Sequence, residues 1–280
     1  MEFIVRKDGE LLDYLVNNTD LSRKNLKKYL EHGCIFVNNN STTRYNYKVY
    51  TGNKIFIDTN SKKNTLPFRI IFEDDHIIVV DKPSGLLTIS TDKEKEKTLY
   101  HIVREYLVSK DKRNKVFIVH RLDKDTSGVV IFSKDEKTKN LLQNNWNEFV
   151  KLREYTLVCH GKLKDDKKRV INYLKETKTK LVYTTSKNKG IEAITNYEVI
   201  KSNDKYSLVK VFLETGRRNQ IRVCFSDLGN PILGDKTYGI KDNLHRLYLH
   251  ANRLKIYYPY IKKEILFESS IPIEFKKVIK

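Results

Sequence analysis

The first 58 residues carry the hydrophobic pattern of a small module with two helices. Apolar side chains follow helical spacing in the first of them, at Leu11, Leu12, Leu15 and Val16. Ser22 can then act as the N-cap of a second helix, and Gly33 can end it. The apolar face of this second helix consists of Leu26, Tyr29 and Leu30. The segments CIFVNNN and KVYTGNKIFID predict a short strand with a turn and then a pair of strands.

A polar stretch separates this module from the rest of the chain. The segment from Asp58 to Pro67, DTNSKKNTLP, ends in a proline and is typical of a linker. We therefore expect a module at residues 1–60, a linker at 61–67 and a second domain at 68–280.

Beyond Pro67, short runs rich in β-branched and aromatic residues predict strands. Two of them surround an acidic turn in FRIIFEDDHIIVVDKPSG, and two more surround a polar loop in VFIVHRLDKDTSGVVIFSKD. Further strands are predicted in REYTLVCHG, IEAITNYEVI, YSLVKVFLE and RLYLHANRLKIYY, and helices in TLYHIVREYLVSK, KTKNLLQNNWNEF and GRRNQIRVCFSDLG. Because strands and helices do not alternate strictly, we expect an α+β fold. It would combine a mixed, largely antiparallel sheet flanked by helices with the small α/β module.

The chain carries a large excess of positive charge. Lysine and arginine number 54 against 35 acidic residues, which gives a net charge of +19. Such an excess favours a polyanionic partner. In the second helix of the module, one side carries four basic residues: Arg23, Lys24, Lys27 and Lys28. This side either faces water or contacts phosphate groups.

Several classes of function lack their usual sequence features. No apolar run approaches the ~20 residues that span a bilayer, and the N-terminus lacks the pattern of a secretion signal. We therefore expect a cytoplasmic protein without a membrane partner. The cysteines lie far apart, at Cys34, Cys159 and Cys224, and the sequence has neither a zinc-binding pattern nor a glycine-rich phosphate loop. We expect no metal and no nucleotide cofactor.

The densest group of polar side chains lies in the loop VHRLDKDTSGV at 119–129. Its aspartate, serine, threonine and glycine residues are ordinary turn formers. Asp123, Asp125 and Ser127 also fit the first ligand positions of a calcium loop. The twelfth position of such a loop requires glutamate, but here it is Lys134. The third interpretation is that the loop is catalytic.

A resemblance that extends over most of the second domain supports the catalytic interpretation. The segment HRLDKDTSG at 120–128 resembles the signature of the RluA family of pseudouridine synthases. Other segments resemble further motifs of the family in the same order: Asp81–Leu86 (DKPSGL), Arg153–Tyr155 (REY), Thr215–Arg222 (TGRRNQIR), Asn230–Asp235 (NPILGD) with Tyr238–Gly239, and Arg246–Ala251 (RLYLHA).

This resemblance implies an enzyme that isomerises uridine to pseudouridine in RNA without a cofactor. In the family, the signature aspartate is the catalytic carboxylate, a tyrosine packs on the target base, and an arginine pairs with the carboxylate. These roles map to Asp123, Tyr155 and Arg222. We expect Arg222 to lower the pKa of Asp123, and Tyr155 could also remove the proton from C5 of the base. Whether Asp123 attacks the sugar or the base, or acts as a base in an elimination, stays open.

The same resemblance implies that other residues near these motifs contribute. His120 and Arg121 are expected to contact RNA, and the site is expected to be supported by Lys82, Thr126, Asn219 and Asp235. Two positions depart from the family, because Asn219 and Cys224 stand where the family has histidines. Asn219 can still form hydrogen bonds, and Cys224 is expected to pack as a small apolar side chain.

The N-terminal module resembles the α-L RNA-binding module first described in a small-subunit ribosomal protein. The matching positions are Asp13, Leu15, Ser22, Arg23, Leu30, Gly33, Val37, Asn38, Gly52 and Ile55, with Asn53 where aspartate is usual. This module is common in pseudouridine synthases that act on ribosomal RNA. The resemblance therefore favours ribosomal over transfer RNA as the target, and we expect the enzyme to be a monomer.

Two other functions are compatible with parts of the sequence. A non-catalytic RNA-binding protein of the same fold would not need Asp123, Tyr155 and Arg222, yet all three are present. A glycoside hydrolase would need two carboxyl groups at a set separation. The sequence does not give the separation of Asp123 and Asp125.

Overall fold

The structure is a computed structural model that describes residues 1–31, 34–38, 40–42, 44–58, 66–91 and 94–279. The chain divides into two compact units, Met1–Pro67 and Phe68–Lys280. Gly33, the predicted end of the second helix, lies outside the described residues, as does most of the predicted linker at 61–67. Within the described ranges, no helix is long and apolar enough to cross a membrane.

The first unit combines two helices with short strands. Its elements are β1 (Glu2–Ile4), β2 (Gly9–Glu10), α1 (Leu11–Asn18), α2 (Arg23–Glu31), β3 (Ile35–Val37), β4 (Asn40–Ser41), β5 (Lys48–Val49) and β6 (Lys54–Ile57). One sheet has the order β1-β6-β3-β4, and β2 pairs with β5. The expected pairing within KVYTGNKIFID is wrong, because β6 pairs with β1 and β3 while β5 pairs with β2.

Helix α2 forms as its sequence predicts. Ser22 caps it, because its Oγ accepts a hydrogen bond of 3.2 Å from the N–H of Asn25. Leu26 and Leu30 are buried in the same apolar cluster as Leu15 of α1. The four basic side chains lie on the exposed side of the helix: Arg23, Lys24, Lys27 and Lys28.

The second unit begins with a hairpin and ends with a short helix. Its elements are β7 (Arg69–Glu73), β8 (Ile77–Lys82), α3 (Leu99–Lys110), β9 (Phe117–Ile118), β10 (Ser127–Ser133), α4 (Glu136–Asn144), α5 (Trp146–Phe149), β11 (Val150–His160), β12 (Lys167–Glu176), β13 (Val182–Thr184), β14 (Ile191–Ser202), β15 (Tyr206–Leu213), α6 (Gln220–Asp227), β16 (Leu249–Tyr258), β17 (Lys263–Glu268) and α7 (Ile273–Lys277).

One large sheet organises this unit. In the described residues its order is β13-β12-β14-β15-β11-β16-β10-β8-β7, with β17 beside β16 and β9 beside β10. The strand pairs are antiparallel except for β10 and β16, which run parallel where Ser127 faces His250 and Gly128 faces Ala251. The expected α+β fold with a mixed, largely antiparallel sheet is therefore confirmed.

The element predictions miss some features of this unit. Strands β12, β13 and β17 are not predicted, and in β12 the only buried side chain is that of Leu174. The apolar pattern of this strand is therefore weak. The helix expected in KTKNLLQNNWNEF is divided into α4 and α5 at Asn145. The side-chain amide of Asn145 donates to the carbonyl of Leu141 at 2.9 Å, which competes with regular helical bonding.

The parallel contact between β10 and β16 fixes the chain directly after the polar loop of residues 119–126. Gly128 has a φ of +119°, and a Cβ atom there would overlap the carbonyl oxygen of Ala251. A glycine is therefore required by both the backbone conformation and the close approach of the two strands.

Gly128→Ala should lower the free energy of unfolding by about 2 kcal/mol or more, because backbone strain and overlap add together. Urea denaturation of the full chain measures this change. Gly229→Ala is the matched control, because Gly229 also has a positive φ, +78°, but a Cβ atom added there would have no neighbour within 4 Å. Equal losses in the two variants would show that the contact with Ala251 costs nothing.

Candidate active site

A pocket of about 500 Å³ opens beside the loop between β9 and β10. Asp123 reaches it from this loop, Tyr155 from β11 and Arg222 from α6. The three residues assigned a catalytic role from the sequence, up to 99 positions apart by their numbers (222 − 123), thus line one pocket. Other residues named from the sequence also line it: His120, Arg121, Thr126 and Asn219.

Lys82 lies behind the pocket and holds the loop. Its side chain is fully buried. The ammonium donates hydrogen bonds to the carbonyls of Leu86 at 2.7 Å, Lys124 at 2.8 Å and Pro83 at 3.0 Å. Burial lowers the pKa of Lys82 to about 7, against the opposing charges of Asp125 and Asp123. Its predicted supporting role thus corresponds to a defined set of contacts.

Two hydroxyl groups hold the same loop at neighbouring positions. Ser84 Oγ donates to the carbonyl of Asp125 at 2.6 Å. Thr88 Oγ1 donates to the carbonyl of Leu122 at 2.7 Å and accepts from the N–H of Leu122 at 3.3 Å. The backbone on both sides of Asp123 is therefore fixed by residues that follow β8.

Arg222 binds Asp235 far more closely than it approaches Asp123. Its Nε and Nη2 each donate to the Asp235 carboxylate at 2.7 Å. Its Nη1 lies 4.0 Å from Oδ2 of Asp123. The expected pairing with Asp123 is thus a peripheral contact, and Asp235 supplies the two-bond partner, with a side chain that is 1% exposed.

Arg222 lowers the pKa of Asp123 as expected, but it does not decide the direction of the net shift. Burial raises the pKa of Asp123, and this effect exceeds the opposing charges of Arg222, Arg121, Arg218 and Lys82. Burial disfavours the charged form of a carboxyl group. Arg222 is the largest of these opposing charges, although it binds Asp235 at shorter range.

Tyr155 is half-buried in β11 and lines the same pocket as Asp123. Burial raises the pKa of Tyr155 to about 12. The side chain is therefore a neutral phenol near pH 7. It offers a ring face to a base and a hydroxyl group that donates or accepts a hydrogen bond.

The two departures from the family pattern are placed differently. Asn219 lies at the pocket with a φ of +52°, a conformation that asparagine tolerates better than most residues. Its Nδ2 donates to the hydroxyl of Tyr238 at 3.0 Å, and its Oδ1 accepts from Arg222 at 3.2 Å. Cys224 is fully buried in α6, so the expected packing role is confirmed.

His120 is a neutral ring at the pocket. Its Nε2 accepts a hydrogen bond of 3.1 Å from the N–H of Ile131, and its ring centre lies 4.9 Å from that of Trp146. Burial lowers the pKa of His120 to about 3. Any contact of this side chain with RNA is therefore made without a positive charge, whereas Arg121 is exposed and charged.

The sequence analysis missed part of the positive lining. Five arginines line the pocket: Arg121, Arg153, Arg217, Arg218 and Arg222. Arg218 pairs with Glu176 of β12 at 2.9 Å, and Arg153 donates to the carbonyls of Leu213 and Glu214. The doubled arginine within TGRRNQIR is a signal that could have identified Arg217 and Arg218 as pocket residues.

Comparison with known proteins identifies the class of protein to which this chain belongs. A family model described as RNA pseudouridylate synthase matches residues 76–227, more than half of the chain. An uncharacterized RNA pseudouridine synthase of Bacillus subtilis, YhcT, is 30% identical over 98% of this chain and 93% of its own length. Ribosomal large subunit pseudouridine synthase D of Nitrosomonas europaea is 29% identical over 90% of this chain and 77% of its own.

A solved structure shares the fold. Human RNA pseudouridylate synthase domain containing 4 superposes with a TM-score of 0.61 at 21% identity, covering 74% of this chain and 90% of the human one. The chain belongs to the RNA pseudouridylate synthase family. Its reaction is accordingly the isomerisation of uridine to pseudouridine in RNA.

Arg222→Lys should keep the fold and lower kcat/KM for pseudouridine formation at least about tenfold, because lysine cannot form the two-bond contact with Asp235. Initial rates on total RNA, with thermal unfolding as a check of the fold, measure this effect. Arg169→Lys is the matched control, because Arg169 forms the same kind of two-bond contact with Glu214 at an exposed position. Full activity of Arg222→Lys would show that the paired geometry has no catalytic consequence.

Proposed function

We propose that this pocket is the active site and that Asp123 is the catalytic carboxylate. The observation that carries the proposal is the position of Asp123. It lies on a loop held from both sides and reaches a pocket shared with Tyr155 and Arg222. A non-catalytic RNA-binding protein would have no need to hold these three side chains together.

The substrate uridine enters the pocket as an extruded nucleotide, because its glycosidic bond cannot be reached within a base-paired stack. The ring of Tyr155 supports the base, and the arginines around the pocket bind the neighbouring phosphates. The Arg222–Asp235 pair places a guanidinium nitrogen 4.0 Å from Asp123. The ring of Tyr155 and this guanidinium group together hold the uracil beside the carboxylate of Asp123.

The isomerisation breaks the bond between N1 and C1′ and forms a bond between C5 and C1′. The proton on C5 is lost and N1 gains a proton, so no oxidant or reductant is required. Asp123 serves as the nucleophile towards C1′ or the base, or as the base that starts an elimination. Tyr155 takes part as a phenol that can pass on a proton.

The target we propose is ribosomal RNA. Two observations support it: the basic face of α2, and relatives named ribosomal large subunit pseudouridine synthase D from Nitrosomonas europaea and Buchnera aphidicola. We place residues 1–60 as the module that binds RNA, and we propose that the enzyme acts as a monomer in the cytoplasm.

Asp123→Asn tests the catalytic assignment. It keeps the size of the side chain but removes the carboxylate, so pseudouridine formation in total RNA should fall below detection while RNA affinity changes only a few-fold. Mapping pseudouridines after incubation with each protein measures the activity, and filter binding measures the affinity. Turnover by Asp123→Asn near the wild-type rate would exclude the catalytic role.

The raised pKa of Asp123 also predicts a pH dependence. The reaction uses the carboxylate form, so kcat/KM should fall as the pH drops through the pKa of Asp123 in the free enzyme. Because burial raises this pKa above the ordinary value of 3.8, the acid limb should have its midpoint above pH 3.8. Circular dichroism over the same range confirms that the protein stays folded. A profile without an acid limb above this value would contradict the assignment.

The basic face of α2 should contribute to the salt dependence of RNA binding. Arg23 pairs with Asp13 at 2.9 Å, so the remaining lysines are the ones to reverse. The triple variant Lys24→Glu, Lys27→Glu, Lys28→Glu should weaken binding of long RNA. It should also reduce the slope of log affinity against log salt by about 1 for each phosphate contact that is lost. The triple change to arginine keeps the charge and should keep the slope. An unchanged slope in the glutamate variant would mean that this face binds only water.

A further inference from the structure

A second pocket adjoins the one that contains Asp123. It measures about 410 Å³, within the range of about 300–1,000 Å³ usual for ligand sites. The two pockets share five lining residues: Trp146, Arg153, Leu213, Gly216 and Arg217. A molecule that fills the first pocket can therefore continue past this wall into the second, which the reaction itself does not use.

The charge of the second pocket suits a phosphate. Lys151 and Arg217 are both exposed, and neither forms an ion pair within the described parts of the chain. Arg217 donates its Nε to the carbonyl of Glu192 at 3.1 Å, which fixes the side chain and leaves its two terminal nitrogens for a ligand. The acid in the lining, Glu214, binds Arg169 through two hydrogen bonds of 2.8 Å each.

The shared wall also carries an aromatic surface. Trp146 is half-buried and lines both pockets, and its ring is steadied by that of His120 at 4.9 Å. Gly216 leaves room for the side chain of Arg153 in this wall, because a Cβ atom at position 216 would lie 2.6 Å from Nη1 of Arg153. Stacking on a tryptophan holds any nucleobase, since every base has a π face.

We propose that the second pocket binds the nucleotide next to the target uridine on the same RNA strand. Its base stacks on Trp146, and its phosphate lies between Lys151 and Arg217. This inference rests on the proposed function, since it takes the first pocket as the site of the uridine. If both pockets are filled, the enzyme binds at least two consecutive unpaired nucleotides.

The test compares binding of uridine monophosphate and of the trinucleotide UpUpU to the full chain. The trinucleotide should bind at least about tenfold more tightly, a gain of ~1.4 kcal/mol. Because Trp146 is the single tryptophan of the sequence, its emission reports on the wall between the pockets. Saturating trinucleotide should quench this emission further than saturating monophosphate.

Two variants test whether the tighter binding of the trinucleotide comes from the second pocket. Lys151→Ala should remove most of the tighter trinucleotide binding and leave the affinity for the monophosphate unchanged, since Lys151 lines only the second pocket. Lys205→Ala is the matched control, because this exposed lysine precedes β15 at the end of the strand away from Leu213. Equal losses in the two variants, or a trinucleotide that binds no more tightly than the monophosphate, would overturn the proposal.

A third variant separates this proposal from the proposed function. Asp123→Asn should keep the full trinucleotide gain although it forms no pseudouridine. Activity in Asp123→Asn would refute the catalytic assignment, while the binding gain and its dependence on Lys151 would still decide the role of the second pocket.

Discussion

A buried ammonium group is the interaction on which the geometry of the pocket depends. Lys82 has no exposed surface, and its nitrogen donates to carbonyls from two segments, Pro83 and Leu86 on one side and Lys124 on the other. Burying a charge is costly unless its hydrogen bonds are satisfied. The same three bonds that satisfy Lys82 therefore fix the loop of Asp123 against the segment after β8. The carbonyl of Lys124 also accepts a hydrogen bond of 3.0 Å from the N–H of Gly85, which is a second bond between the same two segments.

The balance between charge and burial sets the state of Asp123. The pocket contains several guanidinium groups, yet the pKa of Asp123 is raised because burial is the larger effect. The closest cation, Arg222, forms a nearly neutral unit with Asp235, which limits its attraction for a second carboxylate. A carboxylate that is partly buried and only loosely paired keeps more of its basicity and nucleophilicity than one held in a tight ion pair. This favours a chemical role for Asp123 over a purely structural one.

The sequence predicts which side chains line the site better than it predicts the ion pairs and strand pairs that these elements form. Asp123, Tyr155 and Arg222 lie together as the resemblance implies, and α2, α3 and α6 form within the segments for which the sequence predicts helices. The partner of Arg222 could not be predicted, because it depends on which of two carboxylates the tertiary fold brings within 3 Å. Strand β12 escapes prediction for a similar reason. Backbone hydrogen bonds to β14 hold this strand, and it buries only one side chain. Its own sequence therefore shows little of the apolar pattern that predicts a strand.

The contacts of Asn219 give a structural reason for asparagine at a position where the family has histidine. Its amide joins Arg222 to the hydroxyl of Tyr238, and the same hydroxyl accepts a hydrogen bond of 3.0 Å from the N–H of Val182 in β13. The ring of Tyr238 also lies under the guanidinium of Arg222, 5.0 Å from its carbon. A neutral side chain is suited to this position, since a cation there would lie against Arg222. The chain of contacts therefore connects the edge of the sheet at β13 to the arginine beside Asp123. A change of residue at 219 is therefore expected to alter the position of Arg222.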